Sequence, residues 1–252
     1  MTTVAGSIHG IIVLGPTRSG KSLVCRILHH LGVNFGLDEK QNRGNRYNTS
    51  GGFEHREINQ VNDRLLRTAG RSFTVPGAPE TLTKETDLSA LDDLDLSWMD
   101  GSKIWGLKDP RFCATITPWI TAGKIKKQGL RIVNVRRDTF GTAGAALKYR
   151  ITNDLFLGSF DAICQSVEEY KRLAQWQIQN LNLPIFDIQY EKLLEDPKRV
   201  VTKLAAFIQA SDKKRIRRAA SKVGMKKAVF RLALKRIPSK MGRLMHRLTG
   251  AL

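Results

Sequence analysis

Gly15 and the run Gly20-Lys21-Ser22, separated by four residues in "GPTRSGKS", are residue types that together can hold a phosphate. Glycine at both ends permits a tight wrap in which successive backbone N–H groups converge on one anion. A helix beginning directly after such a loop adds the partial positive charge of its N-terminus. Arg18 and Lys21 contribute full charges, Ser19 lies between them, and Ser22 offers a hydroxyl to a phosphate oxygen or to Mg²⁺. The competing reading is a glycine turn with a solvated lysine. The flanking sequence opposes it, because a strand before the loop and a helix after it are the context phosphate binding requires.

What happens to a bound nucleotide depends on the neighbouring strand ends. Phosphoryl transfer of this type needs a carboxylate there to position Mg²⁺. The run "IVNVRRD" places Arg136 and Arg137 at that point, with Asp138 late, whereas "IWGLKDPR" ends in Asp109 between Lys108 and Arg111. Cations beside Asp109 oppose a divalent ion. The expectation is charge neutralisation by side chains with no metal site, and a Mg²⁺-dependent kinase or nucleotide-binding enzyme is the alternative.

Several elements must position these groups. Residues 8–14 form a short β-branched run, a buried strand. Leu23, Ile27 and Leu31 recur every fourth residue in 22–31, and Gly32 follows, predicting a helix. Ile58, Val61 and Leu65 share a face in 54–68. "KIWGLKD" and "LRIVNVRRD" read as further strands, 166–181 as a long amphipathic helix, and "LPIFDIQYEKLLEDP" as a fourth strand turning into a helix. Residues 76–103 are a polar excursion. This alternation predicts an α/β fold: a three-layer sandwich with a mostly parallel central sheet, of the phosphate-loop nucleotide-binding type.

The chain has 252 residues, 41% of them apolar, enough for a full core, and a formal charge of +19. The charge is unevenly placed. Residues 213–252 hold fourteen Lys and Arg and no Asp or Glu, leaving 28 basic against 23 acidic groups in 1–212. The expected organisation is an α/β domain over 1–210 and a basic, amphipathic helical extension over 211–252. Cys25, Cys113 and Cys164 show neither paired nor metal-ligand spacing, which suits a reducing compartment. No basic leader or apolar span is evident, so the expected location is cytoplasmic.

Taken in order, five segments resemble the sulfotransferase family, particularly its bacterial members. Arg18-Ser19-Gly20-Lys21-Ser22, leading into a helix that ends in Leu31-Gly32, is similar to the family's 5′-phosphosulfate loop. "GGFEHREINQVNDRLL" and "WGLKDPRFC" look like its Gly-aromatic-Glu helix start and Lys-Asp-Pro-Arg strand end. "IVNVRRDTFGTAGAALKYR" resembles its 3′-phosphate strand and helix, and "YEKLLEDPKRVVTKLAAFI" matches its Tyr-Glu-x-Leu-x-x-Asp-Pro stretch. The resemblance covers residues 8–210. It implies a transferase that uses 3′-phosphoadenosine 5′-phosphosulfate, with a hydroxyl or amine of a carbohydrate, glycolipid or small metabolite as acceptor. Two positions depart from the pattern: Lys21 stands where the family usually has Thr, and Ala145 where it has Ser. Thr142 or Lys148 would then have to supply the missing 3′-phosphate contact.

Under this resemblance Arg18 acts on the leaving oxygen, Lys21 and Ser22 on the 5′-phosphate, Lys108 on the sulfonate, and Arg137 or Arg136 on the 3′-phosphate. The base is Glu54, with neighbouring His55 and Asp109 as competitors. His55 has the pKa suited to proton removal near neutrality, and Glu54 could equally be a helix-start carboxylate. Acceptor recognition falls to residues 33–52, 70–100 and 150–165. Tyr190 and Glu191 read as structural. The tail places Phe230, Leu234 and Ile237, then Met241, Leu244, Met245 and Leu248, at helical spacing around Pro238. This pattern fits peripheral contact with an anionic membrane, or a helix packed on the core. Nucleic acid is disfavoured because only Phe230 interrupts the charge with an aromatic ring. A non-enzymatic adaptor with a degenerate nucleotide fold is the remaining alternative.

Overall fold

The computed structural model describes residues 7–36, 52–77, 86–148 and 159–223. Strands β1 (Gly10–Leu14), β2 (Trp105–Lys108), β3 (Leu130–Arg136) and β4 (Ile185–Gln189) form one parallel sheet in the order β2-β1-β3-β4. The central β1 pairs in register with both neighbours, so that Gly10 lies opposite Trp105 and Leu130, and Leu14 opposite Asn134. Such strands are hydrophobic throughout because both faces are covered.

Alternation along the strands sorts the two faces. Ile12, Leu14, Leu107, Leu130 and Ile132 point into one core, shared with α2 (Arg56–Thr68), α3 (Phe112–Thr121) and α5 (Phe160–Leu181). Ile11, Val13, Val133, Val135 and Ile188 point into the other, shared with α1 (Lys21–His30), α6 (Tyr190–Glu195) and α7 (Pro197–Phe207). Helix α4 (Thr139–Lys148) follows β3 and packs Ala143 and Ala146 against Ile163 and Val167 of α5. The three-layer α/β arrangement is the one expected, and every strand pair is parallel among the described residues.

Two boundaries differ from the sequence expectation. Helix α5 starts six residues earlier, where the Ser159 hydroxyl accepts a hydrogen bond from the Ala162 N–H at 3.3 Å and caps it. Residues 213–223 are helical, and their Ala219 and Val223 are fully buried in the α1-side core. The start of the basic segment is therefore part of the packed fold. The tail residues from Phe230 to Leu248 lie outside the described residues. None of the described helices is long and apolar enough to cross a membrane.

The chain leaves β1 for β2 on one side, then crosses to β3 on the other. A crevice outside the carboxyl end of β1 is the consequence, the usual ligand position in open α/β sheets.

Candidate active site

The loop after β1 lies in this crevice. Gly15 (φ 134°) and Gly20 (φ 102°) adopt backbone conformations that side chains rarely tolerate, and Arg18 is also left-handed at φ 64°. A Cβ on Gly20 would lie 2.3 Å from the Tyr190 ring, so close approach as well as φ requires glycine there. Ser19 is fully buried, and its Oγ has no hydrogen-bond partner among the described residues. Lys21 is 3% exposed, and its Nζ donates to the carbonyls of Gly15 and Pro16, each at 2.6 Å. Burial, then the nearby Lys108 charge, lowers the Lys21 pKa to about 8. A buried cation held, among the described residues, by two carbonyls, and a buried hydroxyl with no partner among those residues on the same loop, both fit an anionic ligand.

The two arginines after β3 part company. Arg137 places its guanidinium 4.9 Å over the Tyr190 ring and donates to the Arg18 carbonyl at 3.1 Å, so it belongs to the loop. Arg136 is more than half exposed and pairs with Asp187 at 3.3 Å, on the β4 side. Tyr190, read from the sequence as structural, is packed between Gly20 and Arg137 and ties the loop to the arginine. Thr142 is buried, with its hydroxyl donating to the Asp138 carbonyl at 2.7 Å. The side chain of Lys148 lies outside the described residues.

The β2 end brings Lys108 and Glu54 together. Lys108 is buried, and its Nζ ion-pairs with Glu54 and donates to the Gly52 carbonyl at 2.7 Å. Glu54 is aimed there by Phe53, a buried residue at φ 52° that packs edge-on against Phe35. Burial works against the Glu54 charge. The Lys108 ammonium outweighs it and, with Lys21 and Arg111, holds the carboxyl below its ordinary pKa. Glu54 is therefore ionised at neutral pH, at a site where three cations act on it. His55 turns away: its ring stacks on Trp98 at 5.1 Å, and Nε2 donates to the Phe35 carbonyl at 2.6 Å.

Asp109 is fully buried and committed to structure. It accepts from Asn62 Nδ2 at 3.0 Å, from the Arg111 N–H at 2.8 Å and from Arg111 Nη1 at 3.0 Å. Arg111 in turn binds Asp63 at 2.6 Å. Asn62 was missed by sequence reasoning. The available signal was a polar residue on the apolar stripe of α2, one turn from Ile58 and next to Leu65 and Leu66 in burial. No local signal marks the Phe53 conformation.

No protein-family model matches the chain, and no curated protein does. Solved structures do. Sulfotransferase STF1 from Mycobacterium tuberculosis H37Rv aligns at a TM-score of 0.50 and 13% identity, over 85% of this chain and 71% of that one. The sulfotransferase domain from the curacin biosynthetic pathway aligns at 0.49 and 14%, over 85% and 77%. A sulfotransferase from Alicyclobacillus acidocaldarius aligns at 0.46 and 13%, over 84% and 83%. On the alignment to the mycobacterial enzyme, the chain has a sulfotransferase fold.

Proposed function

We propose that the chain is a sulfotransferase that moves a sulfuryl group from 3′-phosphoadenosine 5′-phosphosulfate to a hydroxyl or amine of a carbohydrate, glycolipid or small metabolite. The observation that carries this reading is the Lys108–Glu54 pair beside the phosphate loop, which joins a cation for an anionic group to a carboxylate base. When bound, the donor supplies a sulfuryl group already activated by its phosphate leaving group. The protein's tasks are then to neutralise charge, align the reactants and accept one proton.

Each task has a residue. The amides of the loop and the first turn of α1, with Lys21, Ser19 and Ser22, form the cradle for the 5′-phosphate. Arg18 serves the leaving oxygen, and Arg137 the 3′-phosphate, steadied by Tyr190. Glu54 takes the acceptor proton. Lys108 is shared between Glu54 and any anion at the loop. When Lys108 turns to that anion, Glu54 loses its principal stabilising charge and becomes a stronger base. Charge neutralisation on one side thus prepares proton removal on the other.

The kinase alternative needs a strand-end carboxylate open to Mg²⁺, whereas Asp109 is bonded to Arg111 and Asn62. Calorimetric titration separates the two readings. Adenosine 3′,5′-bisphosphate is expected to bind without metal and to outcompete ATP. Binding of ATP only in the presence of Mg²⁺ would overturn the proposal. Tight binding of the bisphosphate with no transfer of labelled sulfuryl group to any of a broad set of glycan and lipid acceptors would favour an adaptor.

A further inference from the structure

Helix α2 carries Asn59 and Asn62 in successive turns, and the two differ in how far their amides are satisfied. Asn62 has a partner at each end of its amide. Asn59 does not. Its backbone N–H donates to the His55 carbonyl at 3.0 Å, so the first turn of α2 seats it over the segment that carries Glu54. Its Nδ2 reaches Glu54 Oε2 at 3.5 Å, whereas Lys108 holds Oε1. Turning the amide over would set two acceptor oxygens against each other, so this contact fixes which end faces the carboxylate. The other end, Oδ1, is buried and has no hydrogen-bond partner among the described residues. It lies within one amide width of Nδ2 and hence beside Glu54, on a helix whose roll is fixed by buried Ile58 and Asn62.

A buried acceptor without a donor is a cost to the fold, and an asparagine inside a helix adds a second one. We infer that Asn59 is an acceptor-binding residue, whose Oδ1 takes a hydrogen bond from the group next to the reacting hydroxyl. The inference rests on the sulfuryl-transfer reading with Glu54 as base, and it narrows the substrate class. Two hydrogen-bond acceptors side by side, Glu54 and Asn59 Oδ1, match a molecule with two donors side by side. A vicinal diol, the arrangement around a sugar ring, supplies them, and a solitary alcohol does not. In the transfer, the reacting oxygen forms its bond to sulfur as the sulfur–oxygen bond to the phosphate breaks, and its proton passes to Glu54. The neighbouring hydroxyl keeps its proton, and its hydrogen bond to Asn59 persists throughout. Asn59 thus orients the pair so that the hydroxyl facing Glu54 is the one that reacts. A solitary alcohol leaves Oδ1 unpaired, which raises its barrier relative to the diol.

The test is internal competition. The full chain and labelled 3′-phosphoadenosine 5′-phosphosulfate are given propylene glycol and n-propanol together at equal concentration, and the label in each sulfate ester is counted. The ratio of products does not depend on how much of a preparation is active, so loss of stability alone leaves it unmoved. Two hydroxyls against one give a ratio of about two by statistics, and pairing the buried acceptor multiplies it about tenfold, so a ratio of about 20 is expected. Asn59→Leu removes the acceptor at similar size. Its ratio is expected to fall to about two, with affinity for adenosine 3′,5′-bisphosphate kept within a few-fold. Should leucine prevent folding, Asn59→Ala is expected to give the same fall. A ratio near two in the unaltered chain, an undiminished ratio in a folded variant, or label passed to water with neither alcohol esterified would each overturn the inference and leave the transfer reading standing. No release of label at all would overturn both.

Discussion

At the scale of single residues the proposed chemistry depends on one carboxylate being ionised, aimed and releasable. Phe53 does the aiming through a left-handed backbone that a phenylalanine seldom adopts, and its burial against Phe35 compensates for the strain. Lys108 keeps Glu54 charged. Replacing the carboxylate by an amide keeps the shape and removes the proposed proton acceptor. Glu54→Gln is therefore expected to lower turnover by about 10²–10⁴ while donor affinity stays within a few-fold, measured by labelled-sulfuryl transfer and calorimetry in parallel. Near-normal turnover with intact donor binding would remove Glu54 as the base. Loss of donor binding together with turnover would show that the residue serves mainly to position Lys108.

At the scale of elements, the site holds its shape because α2, α3 and the end of β2 are bound through one side chain. Asn62 donates to Asp109 at 3.0 Å and accepts from Thr115 Oγ1 at 2.7 Å and Trp119 Nε1 at 2.8 Å. Truncating it takes a partner from three buried polar groups: Asp109 retains Arg111 and Thr115 retains the Arg111 carbonyl, but the Trp119 N–H loses the acceptor it has here. Asn62→Ala is expected to destabilise the chain by about 3 kcal/mol in urea unfolding. A change below about 1 kcal/mol would mean that water or rotation of Thr115 satisfies the network. The same side chain shows where legibility stops. Strand β1, the loop and α1 were readable because their information is local: β-branched residues, two glycines at fixed spacing and a four-residue apolar repeat. The role of Asp109 was not readable, since its sequence neighbours suggest a metal ligand as well as an ion pair. Its actual partners include a residue 47 positions away, brought there by packing. Arg136 and Arg137 were likewise indistinguishable by type, and only the positions of Tyr190 and Asp187 separate them. The placement of residues 213–223 followed from neither composition nor charge, because an amphipathic basic helix reads the same whether its apolar face meets a core or a lipid.

For the molecule as a whole, the buried Lys21 in the loop after β1 is a standing cost to stability, and its sign can be worked out. The folded state lowers the Lys21 pKa from 10.5 to about 8. Between those values the unfolded chain binds more protons than the folded one, so this group makes stability rise with pH. The penalty for burying its charge is full below about pH 8 and gone above about 10.5. Two buried thiols act in the opposite sense. Burial pushes Cys25 up to about 12 and Cys113 up to about 11, so above the usual thiol range of 9 the unfolded chain loses protons first and stability falls. The raw pH profile of the protein therefore mixes a rising contribution with falling ones, to which Cys164 and Tyr170, also raised by burial, add. Comparison with Lys21→Met removes most of the thiol contribution, because both chains retain the thiols, and what is left is the lysine together with its own effect on Cys25 and Cys113. The methionine chain is expected to be the more stable at pH 7, and its advantage to shrink by about 2 kcal/mol between pH 7 and pH 10. Urea midpoints across that range read the difference directly. A gap that stays constant would mean that the loop carbonyls of Gly15 and Pro16 fully compensate the buried ammonium, and that the loop is not held in a destabilised state awaiting an anion.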